Sequence, residues 1–533
     1  MTETELEIRE YLTELSRRGV ELWLEQGVLR YKCQRGSLQR SDLERLRNHK
    51  ERIIESLSRT SQVERLRRSP RILPRLPSES VPLSGTQQGK WNLLERFKVR
   101  SKRSMVLSIR LTGPLSVELL RKSISCVVQR HEALRTRIVI LDTTPFMEVH
   151  ESHKVELPVA DLTDIPADEV EHGARRAVDE FLDTPTSLAN EDLFACRLYK
   201  LGMSDHVLVI ALDHVIGDNI SIGILQFELE SIYTDLFRGR PISLAPVAIQ
   251  FPDYAVWEKQ QWTVARASFW EARIKSARRV RLPRGEPSPR SEKLQLAEII
   301  PVQLGEPLSA ALRQTSRQCG TTVVMAALSA YLAATLIWTG ESIIISRFVS
   351  AGREIPGLDG TIGWLASELF LCVRLRPEDS FRNLLERVTR EYYLALEYAD
   401  RGRIGMERPC CLWNTSFNWR FSGDAVVPSG KTHLRPEQPA SGVVATPFKF
   451  TPPTLDLNWS DDLDLFNSDP VMTLADSPSG IGGTFGYRPD LFSVDVLECF
   501  CDDFVRLTSA LSRDPDCPVH AVSLLAHASR LTG

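Results

Sequence analysis

Strands and helices alternate along the 533-residue chain, which predicts the α/β class. Three stretches carry that prediction. Val207-Leu208-Val209-Ile210-Ala211 is an uninterrupted apolar run, the mark of a buried strand, and Ile222, Leu225, Leu229, Ile232 and Leu236 after it share one helical face. Met105 to Leu111 alternates as a strand, and after Pro114 an amphipathic helix turns Val117, Leu120, Ile124, Val127 and Val128 inward. In the second half, Leu308 and Leu312, then Val323, Ala327 and Leu328, mark helix cores ahead of a buried strand at Ile343-Ile344-Ile345.

Composition bounds the function. The length suffices for two or three domains, and 42% hydrophobic with 25% charged residues is ordinary for a soluble protein. A net charge of -3 gives no electrostatic case for nucleic acid or a membrane surface. No apolar run approaches the roughly 20 residues of a membrane helix, and Met1-Thr2-Glu3-Thr4-Glu5 has no signal-peptide core, so a cytoplasmic location is expected. The ten cysteines are scattered; Cys410-Cys411 are adjacent, and Cys499 and Cys501 share an apparent helix. They read as reduced thiols used as small apolar residues, and no metal site is expected.

Residues 1–58 form a small unit of helix, β-hairpin and helix. Leu6, Ile8, Leu12 and Leu15 fall on one helical face, and Gly19 ends the helix. Val20 to Glu25 alternates, Gln26-Gly27 makes a two-residue turn, and Val28 to Cys33 returns. Ser41 with Glu44 has the capping-box pattern before a helix with Leu43, Leu46, Ile53 and Leu57 on its inner side. The stretch Leu12 to Trp23, the hairpin and the closing Ile53-Ile54-Glu55-Ser56-Leu57 resemble the N-terminal β-hairpin docking domains of nonribosomal peptide synthetase subunits. The resemblance implies capture of a linear motif at the C-terminal tail of a partner synthase subunit. Such tails are often acidic, and Arg17, Arg18, Trp23, Arg30 and Lys32, with Arg35, are the residues expected to meet one. Residues 59–80 read as a basic, proline-broken linker.

The main body opens with Ser84 capping a helix that sets Gln87 and Trp91 one turn apart. The first-half helix ends in the polar cluster Arg130-His131-Glu132-Ala133-Leu134-Arg135-Thr136-Arg137, read as capping and ion pairing. Between the buried strand and its helix lies Asp213-His214-Val215-Ile216-Gly217-Asp218-Asn219, a polar loop gripped by apolar elements on both sides.

Leu83-Ser84-x-x-Gln87-x-x-x-Trp91, Arg130-His131-Glu132-x-Leu134-Arg135-Thr136 and Asp213-His214-x-x-x-Asp218-Asn219 are similar, in order and spacing, to the condensation domains of nonribosomal peptide synthetases. Phe251-Pro252-Asp253-Tyr254-Ala255-Val256-Trp257, Val349-Ser350-Ala351-Gly352-Arg353, Ile362-Gly363-Trp364-Leu365, Phe417-Asn418-Trp419 and Tyr487 to Phe492 continue the series, so the resemblance covers residues 80–533. It implies two chloramphenicol-acetyltransferase-like lobes arranged as a V, at 81–265 and 266–533, with a crossing segment at about 275–295. It implies a tunnel between the lobes, where a carrier protein's phosphopantetheine arm delivers an acyl thioester to an amine or alcohol. No bound cofactor is required. His214 is the expected catalytic residue. Its imidazole would accept the nucleophile's proton, or position the nucleophile and stabilise the tetrahedral intermediate. Asp218 and Arg353 are the expected structural pair, and Asp213 and Asn418 the supporting residues.

Departures mark a divergent member. Asp213 stands where the family has its first motif His, and Asn219 where it has Gly. A carboxylate there raises the His214 pKa only if the two side chains meet. Asp213-x-x-x-x-Asp218-x-x-Ser221 also fits heterocyclisation domains, although those usually lack a His at the position of His214. Two family segments, one near Glu397 to Glu407 and a terminal Arg-Asp-x-Ser, have no match. The absence of carrier, adenylation and reductase motifs leads us to expect a docking unit and one condensation domain acting in trans, suited to chain release in peptide or polyketide antibiotic biosynthesis. Heterocyclisation, epimerisation and coenzyme-A-dependent acyl transfer are the rival enzymes, and a non-catalytic recruitment domain is the rival of another class.

Overall fold

Residues 205–212 are apolar almost without a break because both faces of their strand are covered. In the computed structural model they form β9 (Asp205–Leu212): Leu208, Ile210 and Leu212 face one core cluster, Val207, Val209 and Ala211 another. The structure describes most of residues 81–261, 298–399 and 470–522, with 20–25, 28–32, 72–76, 415–420, 442–448 and short pieces of 42–49 and 268–285.

At the N-terminus, β1 (Glu21–Glu25) and β2 (Val28–Lys32) pair antiparallel, Glu25 opposite Val28, around the expected Gln26-Gly27 turn position. Trp23 lies opposite Arg30, and Glu21 opposite Lys32. Arg17, Arg18 and Arg35 lie outside the described residues, as do the first expected helix, the Ser41 cap and most of the 59–80 and 275–295 segments.

The first lobe begins with β3 (Val81–Pro82) and α1 (Gly85–Phe97). Ser84 caps α1 in a full capping box: its hydroxyl accepts from the Gln87 N–H, and the Gln87 side chain accepts from the Ser84 N–H. Then follow β4 (Met105–Thr112), α2 (Val117–Arg130), β5 (Thr136–Leu141), β6 (Thr144–Val149), β7 (Val159–Asp161), α3 (Val170–Leu182) and β8 (Phe194–Gly202). After β9 come α4 (Asn219–Phe237) and α5 (Phe251–Gln261). β4, β9, β8 and β7 make one sheet, antiparallel except where β7 meets β8; β3, β6 and β5 make a smaller one. α2 and α4 cover one face of the larger sheet through Leu120, Ile124, Leu225 and Leu229, and α3 covers the other through Ala174, Val178 and Leu182.

The second lobe contains β10 (Glu298–Gln303), α6 (Gly305–Gln318), α7 (Val323–Thr339), β11 (Ile343–Ser350), β12 (Ser367–Arg374), α8 (Phe381–Glu397) and β13 (Thr415–Arg420). Next are β14 (Val444–Pro447), β15 (Val471–Ser477), β16 (Gly480–Tyr487) and α9 (Val494–Arg513). Its sheet runs β10-β16-β15-β13-β11-β12, with β13 parallel to both neighbours. α7 is buried on nearly every side, which fits a helix apolar all round. Thr322 caps its start, and left-handed Gly340 ends it.

Two segments from the second half serve the first lobe. β14 adds an antiparallel edge to β4, and Ile355, Leu358, Ile362 and Leu365 pack in the first lobe's core. The lobes are thus interlocked by a shared edge strand and a shared core segment.

Candidate active site

His214 opens a single helical turn, His214–Ile216, directly after β9. The turn exists because Asp213 caps it: Oδ1 accepts the Val215 N–H at 3.0 Å. α1 holds the same turn from outside, where Gln87 Nε2 donates to the Val215 carbonyl at 2.7 Å. Asp213 is fully buried and faces the first lobe, accepting from Lys90 Nζ at 2.7 Å and from the Ser101 hydroxyl at 2.5 Å.

The His214 ring turns instead towards the second lobe. Trp364 lies on it, ring centroids 4.2 Å apart and planes tilted by 32°. The imidazole is densely enclosed yet keeps partial exposure, and its buried Nδ1 has no hydrogen-bond partner among the described residues. Burial lowers its pKa below the usual histidine value, and the Lys90 charge lowers it further against weaker opposing effects of its own backbone, Asp218 and Asp213. No hydrogen bond joins the Asp213 and His214 side chains among the described residues, so the conditional upward shift from Asp213 does not prevail; the net shift is downward.

Asp218 is the buried N-cap of α4, accepting from the Ser221 N–H and hydroxyl at 2.8 Å each. Arg353 grips it bidentately, Nη1 to Oδ2 at 2.9 Å and Nη2 to Oδ1 at 3.0 Å. The Leu365 and Ala366 N–H groups complete its shell at 3.2 and 3.1 Å. Burial pushes the carboxyl up, but Arg353 and Ser221 outweigh it and hold the pKa below the ordinary value. The Arg353 guanidinium also donates to the Ala351 and Thr361 carbonyls, each at 3.0 Å.

The Arg130–Arg137 cluster lies behind the site. Arg130 and His131 both reach Glu228 of α4, at 3.0 and 2.9 Å, which fixes the helix that Asp218 caps. Asn418 sits mid-strand in β13, opposite Thr473, between the buried Phe417 and Trp419. Among the described residues no hydrogen bond joins its side chain to the motif loop. Sequence reasoning passed over Lys90 and gave Trp364 no role. For Lys90 a signal existed: a lysine three residues after Gln87, on the turn that leads to core Trp91 and Leu94.

Comparison with known proteins matches residues 78–414 to the condensation domain model and residues 8–59 to the TubC N-terminal docking domain. The chain is 26% identical over 469 residues to isonitrile lipopeptide synthase of Mycobacterium tuberculosis, covering 84% of this chain and 18% of that protein. It is 29% identical over 338 residues to phosphinothricin tripeptide synthetase PhsC of Streptomyces viridochromogenes, covering 62% and 31%. Among solved structures, the X-domain in complex with OxyB from teicoplanin biosynthesis superposes with a TM-score of 0.67 at 19% identity, over 86% of this chain and 98% of that one. The structure described as the basis for condensation domain-mediated chain release from the enacyloxin polyketide synthase gives 0.61 at 20%, over 96% of each chain. The chain thus spans a small part of the curated synthetases it matches, while the two structures share its fold. Fold, motif loop and family model agree: the chain belongs to the condensation domain family, with a docking domain of the TubC type ahead of it.

Proposed function

We propose that the protein is an acyltransferase acting in trans. It takes an acyl chain from a carrier protein's phosphopantetheine thioester and passes it to an amine or alcohol, forming an amide or ester and releasing the chain. One observation carries the reading: His214 sits where the lobes meet, enclosed, without a carboxylate partner among the described residues, and held neutral. A neutral imidazole can accept the proton that an amine or hydroxyl loses as it attacks the thioester carbonyl. The likeness to the enacyloxin chain-release structure supports release over elongation. The N-terminal unit would bring the donor, its Arg17, Arg18, Trp23, Arg30 and Lys32 meeting the acidic tail of a partner subunit.

Heterocyclisation has less support, because both carboxylates are committed, Asp213 to Lys90 and Ser101, Asp218 to Arg353 and backbone N–H groups. A recruitment role draws on the departures at Asp213 and Asn219 and on the similar X-domain found in complex with OxyB. Intact-protein mass spectrometry separates these readings. An acyl-loaded carrier protein is incubated with the chain and a panel of amines and alcohols, beside His214→Ala. Acceptor-dependent loss of the acyl group with wild type alone is the expected result. No turnover with any acceptor, with carrier binding that survives His214→Ala, would favour recruitment.

A further inference from the structure

We infer that Lys90 is a positioning residue for this reaction, acting on His214 through the buried carboxylate of Asp213. Its consequence for turnover rests on the proposed function; its geometry does not.

The two side chains are only 10% and 0% exposed. Burying an ion pair takes both charges out of water, and an apolar residue of similar size often serves stability as well or better. α1 already packs through Trp91 and Leu94, so the helix itself gains little from a charge at position 90. What the lysine does reach is the motif loop. Asp213 Oδ1 takes both Lys90 Nζ and the Val215 N–H, and Oδ2 takes the Ser101 hydroxyl. Ser101 is itself locked to Thr186 by reciprocal backbone bonds of 2.8 and 2.7 Å.

Gln87 stands one turn earlier on α1 and holds the Val215 carbonyl. α1 therefore grips the chain on each side of His214. The imidazole needs this external grip. Trp364 offers it a ring face that lets it slide and turn, and among the described residues no hydrogen bond pins its Nδ1. Its place is set by the backbone of the turn, and Asp213 sets the turn only while its charge is balanced.

The charged groups that act on the ring are Lys90 from α1 and Asp213 and Asp218 from its own loop; Asp218 is paired with Arg353 of the second lobe, and Arg103 is close to Asp213. Lys90 and the two carboxylates act on the imidazole in opposite directions. That opposition yields a test that simple loosening of the fold cannot imitate.

The full chain is prepared as Lys90→Gln, Asp213→Asn and the double variant. The His214 imidazole is titrated by NMR in each, beside thioester-transfer kinetics. Lys90→Gln should move the His214 titration upward, Asp213→Asn downward, and the double should fall between them. Lys90→Gln should lower kcat about tenfold at nearly constant KM, with part recovered in the double. A His214 titration unmoved by Lys90→Gln overturns the inference, as do kcat losses that multiply in the double like those of independent sites. The double leaves no unpaired buried charge. If Lys90→Gln does not fold, the double should keep the kcat of Asp213→Asn or better, and a further loss in the double overturns the inference. A wild type that transfers nothing sinks the functional reading, while the titrations decide Lys90's action on His214 by themselves.

Discussion

Arg353 and Asp218 come from different lobes, and each takes up much of the other's hydrogen-bonding capacity. Removing one strands a buried charge. Arg353→Ala should cost about 3–5 kcal/mol in a urea melt, and Arg353→Lys should lie between, since ammonium cannot make the two-pronged contact. A variant melting like wild type would show that the pair contributes nothing. The pH sign follows from the depressed Asp218 pKa. Its contribution is complete above the unfolded carboxyl value of about 3.9 and is lost as pH falls through the lower native value. His214 is also depressed, so the folded state favours its neutral form. The acid limb of kcat/KM should therefore lie below the unperturbed histidine value of about 6.5. A limb at or above that value that vanishes with His214 would contradict a desolvated, neutral imidazole.

At the scale of elements, the close passage of Val349–Leu365 beside the motif loop requires two glycines. Gly352 has φ +70°, and a Cβ there would lie 1.8 Å from the Leu365 carbonyl oxygen. At Gly363 a Cβ would lie 2.3 Å from ring carbons of Phe251. Gly363→Ala should cost about 1–3 kcal/mol by overpacking and lower kcat by shifting Trp364. Calorimetry and transfer kinetics on one preparation check both, and an unchanged melt would mean that Phe251 yields freely. Much of this level was legible in the sequence. Ser84 with Gln87 announced α1, and the apolar run of β9 announced a strand covered on both faces. Local chemistry dictated both. β14 was not legible: Val444 to Pro447 is four residues long, ends in proline and takes its meaning from β4, far away in sequence. Trp364 was visible as a landmark only, because nothing local says which ring it will cover. Lys90 carried a local signal in its spacing from Gln87, but nothing local says that its amine meets Asp213, far away in sequence.

At the scale of the molecule, the lobes share a core segment, an ion pair and a strand. The main body should therefore unfold in one cooperative calorimetric transition, and two separable transitions would count against such interlocking. The β14 attachment can be probed alone. A Cβ on Gly113, at φ +119°, would lie 2.2 Å from the Gly442 carbonyl oxygen. Gly113→Val should detach β14 and speed amide exchange along the edge of β4, leaving α7 and α9 protected. Equal loss of protection in those helices would mean global destabilisation instead.

The strand β14 also bears on how condensation domains can be recombined. A chimera that takes residues 81–265 from one synthetase and the remainder from another inherits a foreign edge strand on its donor-derived sheet. Its register against Ile109 to Thr112 would then be unselected. The structural module is discontinuous in sequence, so crossover points chosen between the apparent lobes cut through it. Transplanting 442–448 together with the first lobe should rescue chimeras that fail when exchanged at that junction.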